Sequence, residues 1–102
     1  MIALIENNIP EIISLCKKHQ VKALSLFGSA AKNTMTAQSD LDFLVQFSDD
    51  LAVLDYADNY FAFLEALEKI TGKSIDLISA KSLKNPILKE NIYSSKVDLY
   101  AA

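Results

Sequence analysis

The sequence predicts a small α/β domain, and three observations carry that expectation. Apolar residues recur at helical spacing in two segments, strand-forming runs stand between them, and Gly and Pro, two of each, are scarce enough to mark where elements stop. The predicted order is α-β-α-β-α-β-α with three strands, and 102 residues suit a single domain over 1–102. Apolar residues make up 51% and charged residues 23% of the chain, which is the balance of a folded domain and not of a disordered one.

Each element follows from local pattern. Asn8 or Ile9 before Pro10 suits a helix start, and Ile9, Ile12, Ile13 and Cys16 continue at helical spacing to His19, with a further helical turn expected from Ile2. Val21 to Phe27 is rich in strand formers and stops at Gly28; Ala30 to Asn33 has length only for a short helix, and Thr34 to Ser39 is polar and loop-like. Leu41, Phe43, Val45 and Phe47 alternate with Asp40, Asp42, Leu44 and Gln46, a second strand with both aspartates on one face. From Val53 to Thr71, Leu54, Ala57, Tyr60, Phe61, Leu64, Leu67 and Ile70 trace one face of a long helix that Gly72 can cap. Ser74 to Ser79 reads as the third strand. Asn85 and Pro86 form an N-cap and first helical position for a last helix reaching Ser94, and Val97 to Tyr100 is expected to be extended.

Several function classes are disfavoured by composition. A net charge of -3 provides no cationic surplus for counterion release, so stable nucleic-acid binding is not expected. The longest apolar stretch, Tyr60 to Leu67, is broken by Glu65 and falls short of the roughly 20 residues that span a bilayer. Glu6 and two asparagines interrupt the N-terminus where a signal peptide needs an apolar core. Cys16 is the single cysteine, which excludes an internal disulfide and suits a cytoplasmic setting.

Chemistry concentrates in three acids. Asp40 and Asp42, two apart in a strand, point the same way and repel unless a cation lies between them; Mg²⁺ takes such carboxylates together with phosphate oxygens. Asp76, among Ile75, Leu77 and Ile78, is a third acid on a neighbouring strand and would complete a divalent-metal site. On spacing alone an ordinary explanation serves equally well: Asp40 ends a loop, Asp42 faces solvent, and Asp76 pairs with a lysine such as Lys73. Gly28 and Ser29 shift the balance. A strand ending in glycine, then serine opening a helix, lets backbone N–H groups approach an anion. Gly28, Ser29, Asp40 and Asp42 at their fixed interval arise by chance roughly once in a thousand chains of this length.

The segment LFGSAAKNTMTAQSDLDFLV, Leu26 to Val45, resembles the Gly-Ser, ten residues, Asp-x-Asp signature of the DNA polymerase β-like nucleotidyltransferase superfamily. The short length, the later helix and the IDLIS strand resemble the minimal nucleotidyltransferase (MNT) family, and the likeness runs from Val21 to Tyr100. The resemblance implies the nucleotidyltransferase fold, with a small mixed three-stranded sheet and helices mainly on one face. It implies that Gly28, Ser29 and Lys32 hold nucleotide phosphates, and that Asp40, Asp42 and Asp76 bind metal, two Mg²⁺ ions, and act in catalysis, Asp76 by activating the attacking hydroxyl. It also implies ATP as substrate and a HEPN-domain toxin as partner, the protein acting as antitoxin by moving AMP onto a tyrosine of that toxin, within a homo- or hetero-oligomer. The family's Gly-Ser-Arg-Ala-Arg-Gly is here Gly28, Ser29, Ala30, Ala31, Lys32 and Asn33, which removes one arginine and replaces the other by a point charge. A catalytically inactive antitoxin that neutralises by binding alone is therefore the competing reading. Transfer to a small molecule is disfavoured, because the chain has no second domain to hold one.

Other residues have plainer expectations. His19 suits a helix C-terminus, and Cys16 core packing. Tyr56, Tyr60, Phe61 and Phe63 crowd one helix, and at helical spacing some of them must be core; Phe63 falls off the apolar stripe, which leaves an exposed aromatic patch for a partner as the less favoured alternative. Asp49, Asp50, Asp55 and Asp58 are expected to form a solvated set around a helix start.

Overall fold

A computed structural model describes residues 2–36 and 38–102. Its elements run α1 (Ala3–Glu6), α2 (Ile9–Lys18), β1 (Val21–Phe27), α3 (Gly28–Ala31), β2 (Leu41–Phe47), α4 (Tyr56–Thr71), β3 (Ile75–Ser79), α5 (Pro86–Ser95) and β4 (Val97–Ala101), with 3-10 turns at Val53–Asp55 and Ala80–Ser82. The strands form one mixed sheet in the order β3-β2-β1-β4. β1 lies antiparallel to both β2 and β4, and β2 runs parallel to β3.

The local signals act as their chemistry dictates. Pro10 occupies the first turn of α2. The Asn85 side chain accepts from the N–H groups of Ile87 (3.0 Å) and Leu88 (3.2 Å), satisfying two otherwise orphaned donors of α5. Gly72 ends α4 at φ +67°, left-handed backbone that a side chain would strain.

The main core lies on one face of the sheet. There Ile5, Ile12 and Cys16 of the first two helices and Phe63 and Leu67 of α4 meet Leu24, Leu26, Leu41, Phe43, Val45 and Leu77. Each such side chain removed from water contributes about 1.5–3 kcal/mol. On the other face Phe27 and Leu44 pack with Leu83 and with Ile92 of α5. Helices therefore cover both faces, where one was expected to carry most of them.

Three further expectations are corrected. The extended tail at 97–100 is a fourth strand, paired to β1 and held by the Ser25 hydroxyl, which donates to Asp98 Oδ1 at 2.7 Å. The second strand begins at Leu41, so Asp40 stands on the residue before it. The stripe of the long helix is rotated: Leu54 and Phe61 are exposed, whereas Phe63 is fully buried. The reason lies in spacing: Phe63 stands three residues after Tyr60 and four before Leu67, within their face, whereas Phe61 lies about a quarter turn away and Leu54 precedes the helix. Residues 53–55 form a 3-10 turn, α4 starts only at Tyr56, and its buried side runs Phe63, Leu67, Thr71 at i, i+4 spacing. Phe63 meets the Phe47 ring edge-on at 6.0 Å and the His19 ring at 5.6 Å.

Candidate active site

The antiparallel β1–β2 register sets Phe27 opposite Asp42, and the parallel β2–β3 register sets Asp42 opposite Asp76. Three elements thereby converge: the end of β1 with its turn into α3, the start of β2, and the start of β3. Because side chains at paired positions share a face of the sheet, Asp42 and Asp76 stand side by side. Asp40 approaches the same group from the end of the loop.

Electrostatics show how closely they meet. Burial pushes the Asp42 carboxyl above its usual range, and the Asp76 and Asp40 carboxylates and a hydrogen bond shared with Asp76 push it the same way. Asp42 is thus half-buried between two exposed acids, a position that disfavours its own ionised form.

Gly28 forms the floor beside them. Its φ is +71°, and a Cβ placed there would lie 2.2 Å from Asp42 Oδ2. Here glycine serves both the backbone conformation and the close approach of the carboxylate. Ser29 follows, half-buried, and its carbonyl accepts from the Thr34 N–H at 2.9 Å, which folds the loop back over α3. Lys32 ends α3 with its side chain exposed. Asn33, where the resembled motif has glycine, sits at φ +58°, a conformation asparagine tolerates better than most residues.

The structure brings Gly28, Asp42 and Asp76 into one place, with Asp40 at its rim, and leaves Lys32 on the exposed end of a short helix. Among the described residues no three His, Cys, Asp or Glu side chains could hold a metal ion by themselves. The donors are all carboxylate oxygens, which fits Mg²⁺, an ion that keeps water and takes one or two protein carboxylates alongside substrate phosphates. Closure of such a shell is left to the substrate.

Two tyrosines belong to the surroundings of the site. Tyr60 donates its hydroxyl to the Leu77 carbonyl, and Tyr56 Oη lies 2.6 Å from Ser79 Oγ. Burial, then the Asp76 charge, then Tyr56 raise the Tyr60 phenol above its normal value. Sequence periodicity gave Tyr60 a core position without its hydroxyl role; the available signal was tyrosine at a place where phenylalanine packs equally well. His19 and Cys16 are as expected: the imidazole Nδ1 lies 2.9 Å from the Leu15 carbonyl at the end of α2, and burial pushes the Cys16 thiol up to about 12.

This strand–turn–strand arrangement with its opposed aspartates defines a nucleotidyltransferase domain. The family profile described as "Polymerase beta, Nucleotidyltransferase" matches residues 10–102, and the chain belongs to that family. A Methanocaldococcus jannaschii protein bearing the name protein adenylyltransferase is 40% identical over 77 residues, 74% of this chain and 73% of the relative. A solved structure described as a minimal nucleotidyltransferase superposes with a TM-score of 0.70 at 29% identity, covering 91% of this chain and 90% of the other. The fold also matches a chain from the complex of tri-AMPylated Shewanella oneidensis HEPN toxin with MNT antitoxin, at a TM-score of 0.65 and 19% identity, over 95% of this chain and 72% of that one. No helix among the described residues is long and apolar enough to cross a membrane.

Proposed function

We propose that this chain transfers AMP from ATP to a hydroxyl, a tyrosine of a HEPN-type partner toxin, and so acts as an antitoxin. The observation that carries this reading is the pairing of Asp42 with Asp76 across β2 and β3, beside a glycine that only an unsubstituted backbone can supply. The relatives' names and the AMPylated toxin of the fold neighbour support protein as the acceptor class.

The chain's own groups have distinct tasks. The bare backbone of Gly28 admits the phosphates, Ser29 offers its hydroxyl and N–H, and Lys32 adds a positive charge at the triphosphate. Asp40, Asp42 and Asp76 would hold two Mg²⁺ ions, which when bound offset the triphosphate charge and ease ionisation of the acceptor hydroxyl. Asp76 accepts the hydroxyl proton as the acceptor oxygen bonds to the α-phosphorus, the bond from that phosphorus to the bridging oxygen breaks, and pyrophosphate departs. The domain mainly positions and neutralises, which suits its acidic character.

A second reading has one observation in its favour. Ala30 stands where the resembled motif has its first arginine and packs as a fully buried methyl group, so this position supplies no guanidinium to the phosphates. Neutralisation would then rest on complex formation alone. One experiment separates the two: incubation with labelled ATP, Mg²⁺ and the product of the neighbouring gene, wild type beside Asp42→Asn. Label on the partner with wild type only is the expected result. No label, with neutralisation intact in the variant, would overturn the catalytic reading.

A further inference from the structure

Residues 40–68 contain eight Asp or Glu and no Lys or Arg, while Lys81, Lys84, Lys89 and Lys96 follow later in the chain. Within that acidic stretch lie large apolar side chains turned to solvent: Val53 is 87% exposed, Leu54 94% and Phe61 58%. Leu54, Ala57 and Phe61 are three to four residues apart, so they line one side of α4 and the turn leading into it. Asp55, Asp58 and Glu65, all exposed, border the same side, and Lys81 stands beside Val53 and Ala57 at its N-terminal end, leaving three acids to one lysine around the patch. Single exposed apolar side chains need no explanation, but Val53, Leu54 and Phe61 together on one side, bordered mainly by carboxylates over about three turns, do.

The patch leads toward the site. Ala57 and Phe61 also line a cavity of about 380 Å³ between α4 and β3, together with Tyr60, Leu77 and Ile78. Leu77 is the neighbour of Asp76 along β3, and its carbonyl receives the Tyr60 hydroxyl.

We propose that the outer side of α4, from Val53 to Glu65, docks the protein acceptor through an amphipathic helix whose apolar ridge is flanked by lysine or arginine. The proposal rests on a protein acceptor as argued above, and adds where it sits and which chemistry it presents. Charge complementarity selects this occupant. A second copy meeting the same face would set Asp55, Asp58 and Glu65 against their own counterparts, a like-charge contact that specific interfaces avoid. The apolar ridge supplies the binding, and the carboxylate border admits a basic partner and turns away an acidic one.

The test uses a synthetic helical peptide with a leucine face flanked by lysines, titrated into the ¹⁵N-labelled full chain, beside the same peptide with glutamate for lysine. Amide shifts concentrated at 53–65 with the lysine peptide, none with the glutamate peptide, and at least about tenfold weaker binding to a Leu54→Ser/Phe61→Ser variant are expected. Both substituted residues are exposed, so the variant keeps its fold. Binding that the variant leaves unchanged, or shifts centred on Asp40, Asp42 and Asp76, would show attraction to charge alone and overturn the proposal. A wild-type dimer in sedimentation that the variant loses would assign the face to a second copy, also overturning it. Because no AMP transfer is read, a catalytically inactive chain passes or fails this test independently of the function proposed above.

Discussion

Gly28 and Asp42 fit against each other so closely that one added methyl group would lie 2.2 Å from the carboxylate oxygen Oδ2. The obstructing atom is the free end of a side chain, so the carboxylate can swing away, but it then leaves the position opposite Asp76. Gly28→Ala is therefore expected to abolish nucleotide transfer while lowering stability only by the strain of a positive φ, about 1–2 kcal/mol. Activity assays and thermal melts of the same preparation check this: a folded, inactive protein is the expected outcome, and a fully active one contradicts the assigned fit.

Asp42 itself has a definite pH signature in the metal-free protein. Its folded-state pKa lies above the ordinary 3.8, so the folded chain holds that proton more tightly than the unfolded chain does. The charged group costs stability above the folded value, and the cost fades as pH falls through that value toward 3.8. Asp42→Asn is expected to melt a few degrees higher than wild type at pH 7, with the gap closing on acidification. Mg²⁺ should raise the wild-type melting temperature and leave the variant's nearly unmoved. Calorimetry across pH, with and without the ion, measures both.

Phe63 and Phe61 give a paired test of the helix phase. Phe63→Ala empties a fully buried site under Phe47 and is expected to cost about 3–5 kcal/mol. Phe61→Ala, at an exposed position, should stay within about 0.5 kcal/mol of wild type. Urea denaturation of the two variants decides it, and equal losses would contradict the observed rotation of α4.

Ser25 and Asp98 test the fourth strand. Ser25 is buried and its hydroxyl donates to Asp98, which Lys96 also contacts; the hydrogen bonds from Lys96 and then Ser25 hold the Asp98 carboxyl below its usual range. Ser25→Ala should cost about 1 kcal/mol, with faster amide exchange concentrated in β4. Asp98 contributes above the unfolded value of 3.8 and loses its contribution as pH falls through the lower folded value, so β4 should loosen first on acidification.

Much of this architecture was legible because single residues declare it. Pro10, Asn85 and Gly72 have one good structural use each where they stand, and the helix ends they mark fall as predicted. The face of α4 was misjudged because Phe61 and Phe63 flank the stripe in a run of apolar residues; Phe63, three after Tyr60 and four before Leu67, is the one that turns inward, and the 3-10 turn at 53–55 separates Leu54 from the helix. The strand at Val97–Ala101 was read as extended but not as paired: its partner is 73 residues away at the Ser25–Asp98 contact, and no local pattern encodes such a match. Within the site, the glycine and the spaced acids announced themselves by residue type. Tyr60 did not, since its apolar ring satisfied the helix pattern and concealed the hydroxyl.

That hydroxyl has a consequence for how the sheet can grow. β3 and β4 are its two outer strands, and on β3 the outward-facing Leu77 carbonyl is already occupied by Tyr60, with Tyr56 close by at Ser79. A strand adding at that end would compete with the Tyr60 phenol for the Leu77 carbonyl, whereas β4 ends the sheet on the other side, so the two edges are not equivalent templates for pairing.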